Sequence, residues 1–357
     1  MAPPKDTIFL HIGMHKTAST SIQVSLRQLA DGTTRYARLG APNHSVALLR
    51  MFDDALVAKA RARAADDDDG GAGARDRVAA ALEDSMQSPE RNLILSGEGL
   101  TRMSPEGIAR MQAYLAPRCR EIRVLAYVRD PAGFAPSAWQ QRIKGGLPDF
   151  RVPTPNYRAR FEGFIDVFGR AAVEFVRFAP KSFRNGCIIT DFCDRVGVDV
   201  SQIERHHVGS SMSGEAAALL MLWNRQQKRV TPRTRAASTS LQAVLKEAFP
   251  GKFSFSPELI AAHLDQADCD WMEAQAGFAL ADPASPAASG AVIGGEDDLM
   301  ALARGAVPRL EALLDARGIA APAEATPEAL IGALSAGLPT SRAATRAAKA
   351  SRRRVSG

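Results

Sequence analysis

Lys16 is preceded by His15 and followed by Thr17, Ala18, Ser19, Thr20 and Ser21. An ammonium with hydroxyls crowded behind it can hold an anion: the lysine brings charge and the hydroxyls donate hydrogen bonds. Arg129 and Ser137 stand eight positions apart. An arginine fork and a serine two helical turns further on can meet one phosphate. Glu98 lies between Gly97 and Gly99, which are expected to leave room for a substrate. Its carboxylate can take a proton from a hydroxyl as that oxygen attacks, and His15 is the rival base.

The elements around these residues give the groups their meaning. Ile8, Phe9, Leu10 and Ile12 form a short apolar run ended by Gly13, which predicts a buried parallel strand. The lysine loop follows, and then helix-compatible sequence from Ile22 to Leu26. Strand, tight loop and helix make a phosphate cradle, because the first N–H groups and the helix dipole favour an anion there. Asn92 to Ser96 reads as a second strand ahead of Glu98, Ile122 to Val128 as a third ahead of Arg129, and Val173 to Phe178 as a fourth. Strands alternating with helices predict an α/β fold: a P-loop-like, doubly wound parallel sheet with helices on both faces. In such sheets ligands bind outside the carboxyl ends of the strands, where His15-Lys16-Thr17, Glu98 and Arg129 all fall.

The loop is not a Walker A sequence, since His15 stands where that motif needs glycine before the lysine. It resembles the 5′-phosphosulfate loop of sulfotransferases that use 3′-phosphoadenosine 5′-phosphosulfate (PAPS), whose pattern is K-[ST]-G-[ST]-T. Lys16, Thr17, Ser19 and Thr20 match; Ala18 replaces the glycine. Alanine disfavours positive φ, so a different or right-handed backbone is expected at that point. Arg129 and Ser137 resemble the same family's 3′-phosphate motif. The resemblance is good over 7–145 and extends to 175–193. It implies PAPS as co-substrate without a metal, with Lys16, Thr17, Ala18, Ser19, Thr20, Ser21, Arg129 and Ser137 binding it. Glu98, Lys16 and His15 are then the catalytic candidates, and the acceptor is a glycan, lipid or small metabolite.

With 357 residues, 46% apolar, the chain can bury a large core. Its net charge of +6 suits anionic ligands without choosing among them. Cys119, Cys187, Cys193 and Cys269 form no C-x-x-C pair. Neither a signal peptide nor a membrane-spanning run is apparent, so a cytoplasmic protein is expected.

The predicted organisation is a nucleotide-binding core over 1–200 with a mobile insertion near 33–90, whose run Asp66 to Asp69 reads as solvated charge. A mainly helical region follows over 201–337, with a Pro/Ala/Gly linker from Pro283 to Asp297 and amphipathic stretches from Leu299 to Leu314 and from Pro327 to Leu334. Residues 338–357 read as a disordered basic tail. Two other functions compete with sulfuryl transfer. A P-loop kinase would need the missing Walker glycine. A non-catalytic basic protein holding a nucleotide or nucleic acid would need a recognition motif, and no nucleic-acid partner is expected.

Overall fold

β1 (Lys5–Gly13) leads into α1 (Ser19–Leu26), β2 (Thr34–Tyr36), α2 (Ser45–Phe52), α3 (Asp54–Arg63), α4 (Ala72–Gln87) and β3 (Asn92–Ser96). Then come α5 (Pro105–Leu115), β4 (Cys119–Val128), α6 (Pro131–Lys144), α7 (Tyr157–Phe168), β5 (Val173–Arg177) and α8 (Ile188–Val196). The chain continues through α9 (Gly214–Arg225), α10 (Pro232–Ala248), β6 (Phe253–Phe255), α11 (Pro257–Ala261) and α12 (Gln266–Ala276). It closes with β7 (Ala291–Ile293), α13 (Glu296–Gly305), α14 (Val307–Asp315) and α15 (Pro327–Gly337). The computed structural model describes residues 3–63, 72–207, 209, 211–281 and 290–339.

The chain forms two compact units, each discontinuous in sequence. The first is drawn from Met1–Asp130, Asn156–Gly209 and Asp265–Ser285. It contains a five-stranded sheet in the order β2-β3-β1-β4-β5, with every pair parallel. The predicted α/β class is therefore the observed one. Side chains alternate across the strands. On one face Phe9, Ile94, Leu125, Tyr127 and Val176 meet Ile22 and Leu26 of α1 and Ile189 and Phe192 of α8. On the other, Phe175 meets Phe161 of α7 with ring centres 5.2 Å apart, and α5 lies against α7. Ser104 caps α5 by accepting from Gly107 N at 3.1 Å, with Pro105 in the first turn as its sequence predicts.

The second unit is drawn from Pro131–Pro155, Ser210–Leu264 and Pro286–Gly357. α9 is buried from Gly214 to Asn224 apart from the half-buried Glu215, as a helix apolar on nearly every side must be. It lies among α6, α10, α13 and α15. Trp139 anchors an aromatic cluster, edge-on to Phe150 and Phe253 at 5.5 and 5.6 Å.

Several expectations are corrected. The segment 33–90 is not simply an insertion: it supplies β2, the sheet's edge strand, and α2, α3 and α4. Its acidic run, Asp66 to Asp69, lies outside the described residues. The expected linker contains β7, which pairs in parallel with β6. The amphipathic stretch 299–314 is divided between two helices at Ala306, ahead of Pro308 in the first turn of α14. The basic tail lies outside the described residues from 340 onward. Among the described residues, no helix is long and apolar enough to cross a membrane.

Candidate active site

β1 is the central strand, and the lysine loop leaves its carboxyl end. The loop is tied down from within. Met14 N donates to Tyr127 O at 2.9 Å. Thr17 Oγ1 donates to Met14 O at 2.6 Å, and Ser19 Oγ lies 3.4 Å from the same oxygen. Thr17, Ser19 and Ser21 are buried, whereas Thr20 is exposed. In this conformation, then, the threonine hydroxyl shapes the loop.

Lys16 and Ala18 both adopt positive φ, 70° and 56°. The expected right-handed backbone at Ala18 is thus overturned: its φ and ψ of 56° and 25° are left-handed despite the side chain. The surrounding loop bonds hold it there. Ala18 occupies the N-cap of α1 and has no side-chain group to cap the helix. Ser21 N and Ile22 N reach Ala18 O at 2.9 and 3.3 Å, but the earlier first-turn N–H groups have no helical carbonyl within reach. An uncapped helix start beside a lysine is suited to an anion. Ala18→Gly is expected to stabilise the protein by about 0.5 kcal/mol, because relief of the left-handed alanine outweighs the added freedom of the unfolded chain. A lower melting temperature in that variant would contradict a left-handed Ala18.

Gly13 explains how Glu98 reaches the loop. At φ +101° it carries no Cβ, and one placed there would sit 2.8 Å from Glu98 Cβ. The glycines flanking Glu98 have another purpose than the one expected. A Cβ on Gly97 would lie 2.8 Å from Ser45 N, and one on Gly99 2.9 Å from Ser45 Cβ. They admit the start of α2, not a substrate. Ser45 Oγ in turn accepts from Gly99 N at 2.9 Å.

The half-buried Glu98 carboxylate accepts two amide hydrogen bonds. Gln23 Nε2 donates to Oε2 at 2.7 Å, and Asn43 Nδ2 donates to Oε1 at 3.1 Å. Gln23 also reaches Ser96 Oγ at 3.3 Å, which lies 2.8 Å from His11 Nδ1.

Arg129 closes β4. Its Nη1 donates to Lys16 O at 2.7 Å, its guanidinium lies over the Phe178 ring at 5.3 Å, and its carbonyl accepts from Tyr157 Oη at 2.6 Å. The arginine therefore braces the lysine loop. Burial and then the Arg129 charge pull the Lys16 ammonium below its ordinary pKa, with Glu98 opposing. Burial, and next the Arg160 charge, lower His15 to about 4. Its Nδ1 is 3.4 Å from Arg160 Nη1. His15 is accordingly a neutral imidazole near neutral pH. Ser137 lies half-buried on α6, in the second unit.

The structure thus brings His15, Lys16, Glu98 and Arg129 to the carboxyl ends of three adjacent strands. Sequence reasoning missed Gln23, Asn43 and Arg160. Gln23 had a faint signal, one turn beyond Ser19 on the helix that opens the cradle. Asn43 and Arg160 had none, since only packing delivers them.

No protein-family model and no curated protein matches the chain. Among solved structures, the chain is similar to the crystal structure of a sulfotransferase from Alicyclobacillus acidocaldarius. The TM-score is 0.42 and the identity 15%, over 78% of this chain and 97% of the other. A likeness that loose transfers no residue, so roles must be argued from the side chains themselves.

Proposed function

We propose that this chain transfers a sulfuryl group from PAPS to a hydroxyl or amine of an acceptor, a glycan, lipid or small metabolite. The observation that carries the reading is the lysine loop: a left-handed turn into an uncapped helix, beside a carboxylate and an arginine. Lys16 and the start of α1 hold the 5′-phosphate end, and Lys16 meets the negative charge that develops on the bridging oxygen. Thr17, Ala18, Ser19, Thr20 and Ser21 form the loop and helix start around it. Arg129 and Ser137 are assigned to the 3′-phosphate on their sequence spacing. Glu98 takes the acceptor's proton as the S–O bond forms. His15, kept neutral by burial and the Arg160 charge, is the alternative base. Positioning and charge stabilisation carry the remainder, as in phosphoryl transfer, so the reading requires no metal.

Calorimetric titration tests this directly. Adenosine 3′,5′-bisphosphate should bind at least tenfold more tightly than AMP, since a second phosphate adds charge-assisted contacts. Equal affinities for the two would remove the 3′-phosphate pocket. Tighter binding of ATP than of the bisphosphate would favour the kinase reading.

A further inference from the structure

The second unit holds a cavity of about 240 Å³. The end of α9, the turn that follows it, the start of α10 and the turn after α6 enclose it. Its size suits one sugar ring better than a larger ligand. Lys228, Arg229 and Arg235 contribute exposed cations, and among the described residues no aspartate or glutamate lines it. Trp223 and Val230 contribute apolar wall.

Two buried polar side chains in that wall are incompletely used. Asn224 is 2% exposed. Its Nδ2 donates to Ile143 O at 2.8 Å and to Leu147 O at 3.0 Å, which fixes the orientation of the amide because both partners are carbonyls. Its Oδ1 is buried and has no hydrogen-bond partner among the described residues. A buried acceptor left unpaired is a standing cost that a ligand hydroxyl can relieve. Ser238, also buried, accepts at Oγ from Gln242 Nε2 at 2.9 Å. Among the described residues its proton has no acceptor.

We propose that this cavity binds a hydroxylated anion the size of a monosaccharide. A ligand hydroxyl serves Asn224 and Ser238, the ring lies along Trp223 and Val230, and a carboxylate or phosphate meets Arg229, Arg235 and Lys228. None of these residues belongs to the sulfuryl-transfer reading, so the two stand or fall separately.

The test is calorimetry and ligand-observed NMR on the full chain with glucuronate and glucose 6-phosphate as probes. Glucose and inorganic phosphate serve as single-feature controls. At least one of the two sugar anions should bind tenfold or more tightly than either control, and which one binds identifies the anionic group. The double variant Arg229→Ala/Arg235→Ala, changed only at exposed positions, should keep its melting temperature and weaken that binding at least tenfold. Ser238→Ala should weaken it severalfold. Lys16→Ala should leave it unchanged. Absence of binding by both sugar anions would overturn the proposal. So would phosphate binding as tightly as glucose 6-phosphate, affinity unaltered in the double variant, or affinity lost in Lys16→Ala.

Discussion

Glu98→Gln should lower sulfuryl transfer by about 10²–10⁴-fold while donor binding survives, the usual worth of a positioned base. The phosphate ligands lie elsewhere in the loop and at Arg129, which is why affinity should hold. The structure adds a detail to the expected cost. Both carboxylate oxygens accept from amide N–H groups, Gln23 at 2.7 Å and Asn43 at 3.1 Å. A glutamine offers one oxygen and one NH₂, so one of these contacts must set donor against donor. Stability should therefore fall by about 1 kcal/mol, one net hydrogen bond, far too little to unfold the protein. Measured in the same buffer, bisphosphate affinity, melting temperature and turnover separate the effects. Full transfer by Glu98→Gln would move the base to His15. Loss of bisphosphate binding along with turnover would make Glu98 a support of the loop instead.

Acid should weaken the fold well before the carboxylates titrate. His11 and His44 are wholly buried. Burial lowers them from 6.5 to about 3 and about 4 respectively. The sign follows from linkage. Below pH 6.5 the unfolded chain takes up protons that the folded chain refuses, so the contribution is complete above pH 6.5. It is lost as the pH falls toward the folded pKa values. Each histidine costs on the order of 3 kcal/mol by pH 4, at about 1.4 kcal/mol per pH unit. Both rings touch Ser96: His11 Nδ1 lies 2.8 Å from its Oγ, and His44 Nδ1 accepts from its N–H at 3.1 Å. Protonation of His44 removes that acceptor, two residues from Glu98. Urea unfolding between pH 7 and pH 4.5 should show stability falling steeply, and more gently in His44→Gln. A flat profile over that interval would mean that these rings are not buried as neutral bases.

Whatever a few neighbouring residues settle among themselves was legible in the sequence. The apolar run before Gly13 can only be a buried strand, and Ser104-Pro105 can only open a helix, because period and backbone preference act locally. Three strand ends carrying Lys16, Glu98 and Arg129 were legible for the same reason. Features that depend on groups distant in the chain emerged only with folding. β2, β6 and β7 are three residues each, too short to show alternation, and exist only because a partner strand lies beside them. Ala18 turns left-handed because the fixed ends of its loop outweigh its own preference. The glycines around Glu98 admit Ser45, whose approach no local pattern announces. Gln23 and Asn43 come from 75 and 55 residues away to hold that carboxylate. A side chain's chemistry is written in its type, but the donors that orient it arrive only when the core closes.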